Sequence, residues 1–121
     1  MNKQKVIVIG ASPNPRRYSY MAVKLLKRKG FYPIAIGIRK GEIDGIKIHK
    51  QTPVFNDVHT ITLYINASRQ KQYYDYILSL KPKRLIFNPG TENNELKNLL
   101  KLHGIQVVEN CTLVMLHTNI F

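Results

Sequence analysis

Residues 6–20, VIVIGASPNPRRYSY, carry the strongest indication of the fold. The four successive apolar residues, Val6 to Ile9, predict a strand that is buried on both faces of a parallel sheet. Gly10 then permits a sharp turn and a close ligand approach. Ser12 precedes a helical pattern whose amino end favours anions. The further glycines of a G-x-G-x-x-G fingerprint are absent, so the loop indicates either a different phosphate site or a plain strand-to-helix turn with solvated arginines.

Outward from this stretch, apolar runs alternate with helical patterns along the chain. The predicted strands are KVIVIG, YPIAIGI, TITLYIN, RLIFN and IQVVEN, and the predicted helices are SYMAVKLLKRKG, SRQKQYYDYILSLK and TENNELKNLLKLHG. The short IKIHK segment is an edge strand or a loop, and the tail CTLVMLHTNIF is ambiguous. Because parallel neighbours need a crossover, the order predicts an α/β, doubly wound sheet of about five mainly parallel strands in three layers. We expect one domain over residues 1–121.

Polar residues and glycines mark the ends of the three predicted helices. Ser19, Ser68 and Thr91 are placed to cap the amino ends. Gly30 and Gly104 are placed to end the first and third helices. Ligands of such sheets bind beyond the carboxyl ends of the strands. The candidate segments are therefore residues 10–20, 37–40, 66–69, 88–91 and 110–112.

The charge of the chain is unusual for its length. Its 121 residues include 19 Lys and Arg against 7 Asp and Glu, which gives a formal net charge of +12. Such a field attracts anions, whether nucleic acid, membrane phosphates or a small phosphorylated ligand. The cations are scattered, and the tyrosines of the YYDY segment are interpreted as packing residues. Nucleic-acid binding therefore stays an alternative to a small phosphorylated ligand.

Several features bear on where the protein works. The chain has no apolar run near the ~20 residues of a membrane-spanning helix, and its start lacks the pattern of a secretory signal. The single cysteine, Cys111, cannot form an internal disulfide. We expect a cytoplasmic protein that does not bind membranes.

The end of the second predicted strand carries Arg39 and Lys40. Proteins that bind NAD usually place an acidic residue there, which accepts hydrogen bonds from the ribose hydroxyls. Two cations suit a ribose phosphate instead. NADP carries such a phosphate at the 2′ position, and coenzyme A carries one at the 3′ position. A solvated basic loop is the alternative.

The G-A-S-x-N-P-x-R-x-S pattern, the GIKIH segment and the closing VVENCTLVML make the chain resemble the small bacterial CoA-binding-domain proteins. These are similar to the CoA-binding domain of the succinyl-CoA synthetase alpha subunit. The resemblance runs from Lys5 to about Leu116. It implies a Rossmann-like domain with the CoA diphosphate on the first loop and adenine near the ends of the third and fourth strands. The candidate cofactor-binding residues are Gly10, Ala11, Ser12, Asn14, Arg16, Arg17, Ser19, Arg39, Lys40, Asn66, Asn88 and Gly90.

No catalytic motif and no metal-ligand spacing is evident, since the four histidines lie far apart in sequence. Cys111 is interpreted as a packing residue, with a mixed disulfide to the CoA thiol as the alternative. We expect a CoA- or acyl-CoA-binding protein without catalytic activity of its own, monomeric or homodimeric, for which a partner protein could supply catalysis. The alternatives are an NADP-binding protein or NADP-dependent oxidoreductase, and a nucleic-acid-binding protein.

Overall fold

The computed structural model describes residues 3–121, which alternate between strands and helices. The strands are β1 (Lys5–Ile9), β2 (Tyr32–Ile36), β3 (Glu42–Ile43), β4 (Ile46–His49), β5 (Val58–Leu63), β6 (Arg84–Phe87) and β7 (Gln106–Glu109). The helices are α1 (Tyr18–Arg28), α2 (Ala67–Gln70), α3 (Tyr74–Leu80), α4 (Asn94–Leu102) and α5 (Thr112–His117). A 3₁₀ turn over Lys71–Tyr73 joins α2 to α3.

The strands form one sheet in the order β3-β4-β2-β1-β5-β6-β7. Five of the strand pairs are parallel, and the β3–β4 pair is antiparallel. This confirms the predicted α/β fold, with seven strands in place of about five. The additional pair is a hairpin closed by Asp44 and Gly45, both at positive φ (49° and 82°), as two-residue hairpins require. The IKIHK segment forms β4, which is not an edge strand because β3 covers it.

The first strand has the double burial that its sequence predicts. Ile7 and Ile9 pack on one face of the sheet, in a cluster with residues of α3 and α4. Val6 and Val8 pack on the other face, in a cluster with residues of α1 and α5. All four side chains are 0% exposed. The helices therefore form two layers around a central sheet, as predicted.

The expected cap of the first helix was wrong. Helix α1 begins at Tyr18, so Ser19 lies inside its first turn and is buried. Arg17 takes the N-cap position with an extended backbone and no side-chain capping hydrogen bond. At the other end, Gly30 follows the helix with a φ of 90°, which confirms that a glycine ends it.

The other two predicted caps were also wrong. Asn66 caps α2, and its side-chain oxygen accepts a hydrogen bond from the amide of Arg69 at 3.2 Å. Asn93 caps α4 in the same way. In both cases a capping side chain lies where the backbone is still extended, and Ser68 and Thr91 do not occupy that position. Gly104 follows α4 with a φ of 72°, as expected of a helix-ending glycine.

Two further segments differ from the sequence-based expectation. The second predicted helix is interrupted by the 3₁₀ turn, so it forms α2 and α3 instead of one rod. The ambiguous tail forms α5 against α1. Within residues 3–121, none of the helices is long and apolar enough to span a membrane.

Candidate ligand-binding site

A cavity of about 420 Å³ opens at the carboxyl ends of the central strands. β1 lies between β2 and β5, so the chain leaves β1 toward one side of the sheet and later returns to its other side. Ligands of doubly wound sheets bind at such a switch point, because the loops diverge there and leave a crevice. Some of the residues in each of four segments, 10–19, 37–39, 64–73 and 89–91, line the cavity.

The loop after β1 forms the floor of the cavity, and much of its backbone is already hydrogen-bonded. The amides of Gly10 and Ala11 both donate to the carbonyl of Ile36, at 2.9 Å each. The amide of Asn14 donates to the hydroxyl oxygen of Ser12 at 3.1 Å. These bonds fix the loop against β2, so the Gly10 and Ala11 amides are not available to a ligand.

Other amides of this loop remain open. The described residues supply no acceptor for the amides of Ser12, Tyr18 and Ser19. The last two belong to the first turn of α1, where amides have no partner within the helix. These amides lie at the positive end of the helix dipole and border the cavity, so they can bind an anion there.

Two glycines let the loop pack this closely. Gly10 has a φ of 96°, and a Cβ atom added to it would lie 2.8 Å from Cγ2 of Ile65. A Cβ atom on Gly37 would lie 2.1 Å from the carbonyl oxygen of Ala11. Any side chain at either position would therefore push the loop away from its neighbours.

Three arginines from separate loops reach the cavity. Arg17 precedes α1, Arg39 follows β2 and Arg69 lies in α2, and all three are exposed. None of them takes part in the two ion pairs found among the described residues. No described residue of the cavity wall is Asp or Glu. The cavity is therefore strongly positive and complementary to phosphate groups.

The structure brings most of the predicted first-loop residues together. Seven predicted residues line the cavity: Gly10, Ala11, Ser12, Asn14, Arg17, Ser19 and Arg39. Five others lie outside its lining: Arg16, Lys40, Asn66, Asn88 and Gly90. The predicted binding residues that line the cavity therefore all come from the segment between β1 and the start of α1 and from the loop after β2.

Asn88 is the clearest of the residues outside the lining. Its side chain is buried and donates to the Thr62 hydroxyl at 2.6 Å and to the Leu63 carbonyl at 2.7 Å. Its carbonyl oxygen accepts from the amide of Thr112 at 2.9 Å. The amide therefore joins β5, β6 and the start of α5. No polar atom of this side chain is left for a ligand.

The sequence placed part of the α2 wall within a candidate segment and missed the rest. Arg69, Gln72 and Tyr73 line the cavity there. Arg69 belongs to the predicted segment 66–69, although it was not chosen as a binding residue. Gln72 was not considered, and Tyr73 was interpreted as a packing residue.

A buried amide holds this wall in place. Gln70 is 0% exposed, and its side-chain nitrogen donates to the carbonyls of Ile65 and Thr91, at 2.9 and 2.7 Å. Both acceptors belong to residues that line the cavity. Asn93 in turn donates to the side-chain oxygen of Gln70 at 2.9 Å. The network ties the loops after β5 and β6 together and sets their separation.

The model of the CoA binding domain family matches residues 4–117. The chain belongs to this family. An uncharacterized protein of known crystal structure is 49% identical, with a TM-score of 0.95 and full coverage of both chains. No curated protein is significantly similar to this chain.

More distant solved structures share the fold. A Thermus thermophilus protein designated cell-free ID.343 is 20% identical, with a TM-score of 0.86 over 98% of this chain and 91% of its own. The dinucleotide-forming acetyl-coenzyme A synthetase 1 of Candidatus Korarchaeum cryptofilum, in complex with phosphate and ADP, is 18% identical. Its TM-score is 0.72, over 90% of this chain and 26% of that longer chain. The same fold therefore also occurs as one part of a larger protein.

The family assignment confirms the resemblance on which the first-loop residues were chosen. The rest of the cavity wall adds little acid–base chemistry. It contains no His or Cys among the described residues, and Cys111 is half-buried outside it. Burial raises the pKa of Tyr64, whose hydroxyl lies close to Thr62 and Thr112 without hydrogen-bond geometry to either. Within residues 3–121, no group of three or more His, Cys, Asp or Glu side chains could hold a metal ion.

Proposed function

We propose that the cavity binds coenzyme A or an acyl-CoA through its nucleotide end, and that the chain contributes no catalytic group of its own. The observation that carries this proposal is the convergence of three arginines and the open amides of α1 on one cavity without an acidic wall residue. Membership of the CoA binding domain family supports the same ligand.

The diphosphate of the ligand fits the amino end of α1. The amides of Ser12, Tyr18 and Ser19 are free to donate to phosphate oxygens, and the helix dipole favours negative charge there. Arg17 lies at the N-cap of the same helix and adds a guanidinium, which can donate two parallel hydrogen bonds to a phosphate.

The 3′-phosphate of CoA is assigned to Arg39. This side chain follows β2, the strand whose end contacts the ribose in related dinucleotide folds. It lines the cavity and is exposed, whereas Lys40 next to it does not line the cavity. Arg39 should therefore distinguish CoA from dephospho-CoA.

The size of the cavity suits the nucleotide part of CoA. Its volume of about 420 Å³ lies within the range of about 300–1,000 Å³ that is usual for small-molecule sites. Adenosine and its phosphates are comparable to a drug-sized ligand, whereas the pantetheine arm would extend beyond the cavity. A thiol or thioester held in this way is accessible to a partner protein that supplies catalysis.

Isothermal titration of the purified protein with CoA, dephospho-CoA and NADP tests the proposal. We expect CoA to bind at least about tenfold more tightly than dephospho-CoA, since a charge-assisted pair contributes about 1.5–3 kcal/mol. Equal affinities would remove the role given to Arg39. Failure of both compounds to bind would remove the ligand itself.

An NADP-binding protein is the second candidate, because Arg39 would also suit a 2′-phosphate. The two candidates differ in the shape of the ligand beyond the diphosphate. NADP binding that exceeds CoA binding in the same titration would favour this candidate. The absence of any NADPH-induced thermal shift would exclude it.

Nucleic-acid binding is the third candidate and is motivated by the net charge of +12. Phosphate contacts by Lys and Arg release counterions, so affinity falls steeply with salt. Titration with duplex DNA and single-stranded RNA at rising salt tests it. Binding that disappears at physiological salt would be the non-specific consequence of charge.

A further inference from the structure

A second concave surface lies on the outer side of the α1 layer, between α1 and α5. It encloses about 390 Å³, and its apolar part is formed by Tyr20, Met21, Leu25 and Leu113. We call this surface the α1–α5 groove. It shares no lining residue with the cavity at the switch point. It is therefore a separate feature that CoA binding leaves unexplained.

The groove follows the exposed side of α1. Met21 and Leu25 lie four residues apart on one helix face and line the groove, and Met21 is 40% exposed. This face borders the face of α1 that is buried in the core, where Ala22 and Leu26 are both 0% exposed. A surface helix normally presents polar residues on its exposed side, so an exposed apolar side chain in a groove indicates a contact surface.

Helix α5 supplies the other side of the groove. Leu113 is half-buried and lines the groove, and α5 packs against α1. The apolar residues of the two helices that line the groove therefore form one patch.

The charge around the patch is of one sign. Lys24 and Arg28 line the groove and are exposed. The helices Tyr18–Arg28 and Thr112–His117 contain no Asp or Glu. An occupant with apolar residues flanked by carboxylates would be complementary in both respects.

From these observations we propose that the α1–α5 groove docks an acidic, amphipathic helix of a partner protein. Its apolar side chains would fill the groove between the two helices, and its carboxylates would pair with Lys24 and Arg28. A second copy of this chain fits less well, because each copy carries a net charge of +12. A membrane fits less well because the surface is concave.

The position of the groove would bring this partner close to the ligand loop. Pro15 lines the groove, while its neighbours in sequence Asn14 and Arg17 line the cavity. A docked helix would therefore contact the same loop that borders the nucleotide cavity.

The test uses a fluorescein-labelled synthetic helix with leucine at every a and d position and glutamate elsewhere. Fluorescence anisotropy should detect its binding to the wild-type protein, weakened by added salt. Met21→Glu and Leu113→Glu should each weaken binding about tenfold or more, since they place a carboxylate in the apolar lining of the groove. Leu102→Glu is the matched control, because Leu102 is 81% exposed on α4, on the other face of the sheet. Circular dichroism checks that all three variants fold.

Four outcomes would overturn the proposal. They are absence of binding by the wild-type protein, equal binding of a peptide with scrambled leucines, equal weakening by Leu102→Glu, and tighter binding to anionic vesicles with the same sensitivity to Met21→Glu. Sedimentation analysis adds a fifth, since self-association abolished by Met21→Glu would assign the groove to a second copy. None of these measurements depends on CoA, so failure here leaves the cavity assignment intact.

Discussion

The two ends of the parallel sheet use arginine in opposite ways. At the carboxyl ends, three exposed arginines border an open cavity and have no acidic partner in its wall. At the amino ends, Arg84 is half-buried and packs against the protein itself, and its Nη2 atom has no hydrogen-bond partner among the described residues. Its guanidinium carbon lies 4.5 Å from the centre of the Phe121 ring, and its Nε donates to the Thr60 hydroxyl at 2.8 Å. The cation at the amino ends therefore contributes to packing, whereas the cations at the carboxyl ends are available to bind an anion.

This difference separates stability from binding. A cation that packs on an aromatic ring and donates to a hydroxyl stabilises the fold. Three like charges around one cavity repel each other until an anion neutralises them. Substitutions at the amino end should therefore change the free energy of unfolding, and substitutions around the cavity should change ligand affinity. Asn88 is an exception to this division, because it lies at the carboxyl end of the sheet and its side chain is buried and hydrogen-bonded.

Asn88→Ala should give the largest effect. Although Asn88 lies at the carboxyl end of β6, we expect this substitution to lower the free energy of unfolding. Removal of its amide leaves the Thr112 amide and the Leu63 carbonyl buried without their partner. Each such group costs about 1–3 kcal/mol, so we expect a loss of about 3 kcal/mol in urea unfolding. The control is Asn98→Ala, an exposed residue of α4. A loss below about 1 kcal/mol would mean that the buried amide is not a structural link between the strands and α5.

Ser12→Tyr should follow, with an effect on binding rather than on folding. The residue lines the cavity beside the amino end of α1, and a phenol ring there would occupy the space assigned to the diphosphate. We expect CoA affinity to fall at least about a hundredfold in isothermal titration, which corresponds to about 2.7 kcal/mol.

The matched control for this variant is Ser79→Tyr, which places the same ring on the exposed surface of α3. It should bind CoA as the wild-type protein does. Unchanged CoA affinity in Ser12→Tyr itself would contradict the placement of the diphosphate on this loop.

The architecture could be predicted because the patterns that indicate each strand and helix lie within short stretches of the sequence. Four buried apolar residues followed by Gly10 identify the first strand and its turn, and the alternation of strands and helices gives the parallel sheet. Strand β3 was missed because two residues are too few for a pattern. The Asp44–Gly45 pair is a usual hairpin signal that could have found it.

The site could be predicted mainly in the two segments that follow β1 and β2. Arg17 was chosen in the first and Arg39 in the second, and both line the cavity. Gln72 and Tyr73 lie in the 3₁₀ turn after α2, and no sequence pattern distinguishes them from the packing residues of the predicted helix. Asn88 ends a strand as expected, but partners distant in sequence determine the direction of its amide.

A pair of arginine variants tests most directly whether the two ends of the sheet differ in this way. Arg39→Ala should reduce CoA affinity about tenfold, leave dephospho-CoA affinity nearly unchanged and have little effect on unfolding. Arg84→Ala should have the reverse pattern, a loss of about 1 kcal/mol in stability with unchanged CoA affinity. Titration calorimetry gives the CoA affinity of each variant, and urea unfolding gives its free energy of unfolding. A fall in CoA affinity for Arg84→Ala would show that the two ends of the sheet are coupled.

The smallest expected effect is a pH dependence of stability at the amino end. Burial, followed by the charges of Arg84 and Lys83, lowers the pKa of His59 from its usual value of 6.5. The Thr60 hydroxyl lies 2.7 Å from Nδ1 of His59 and accepts from Arg84. It can therefore donate its own proton to Nδ1, which favours the neutral imidazole.

The sign of the effect follows from proton binding. Just below pH 6.5 the unfolded chain binds a proton at His59 more readily than the folded protein, so stability rises with pH through this range and falls as the solution is acidified. Thermal unfolding between pH 5.5 and 7.5 should show this slope in the wild-type protein and a shallower one in His59→Gln. An identical slope in His59→Gln would mean that neither burial nor the neighbouring cations lower the pKa of this histidine on folding.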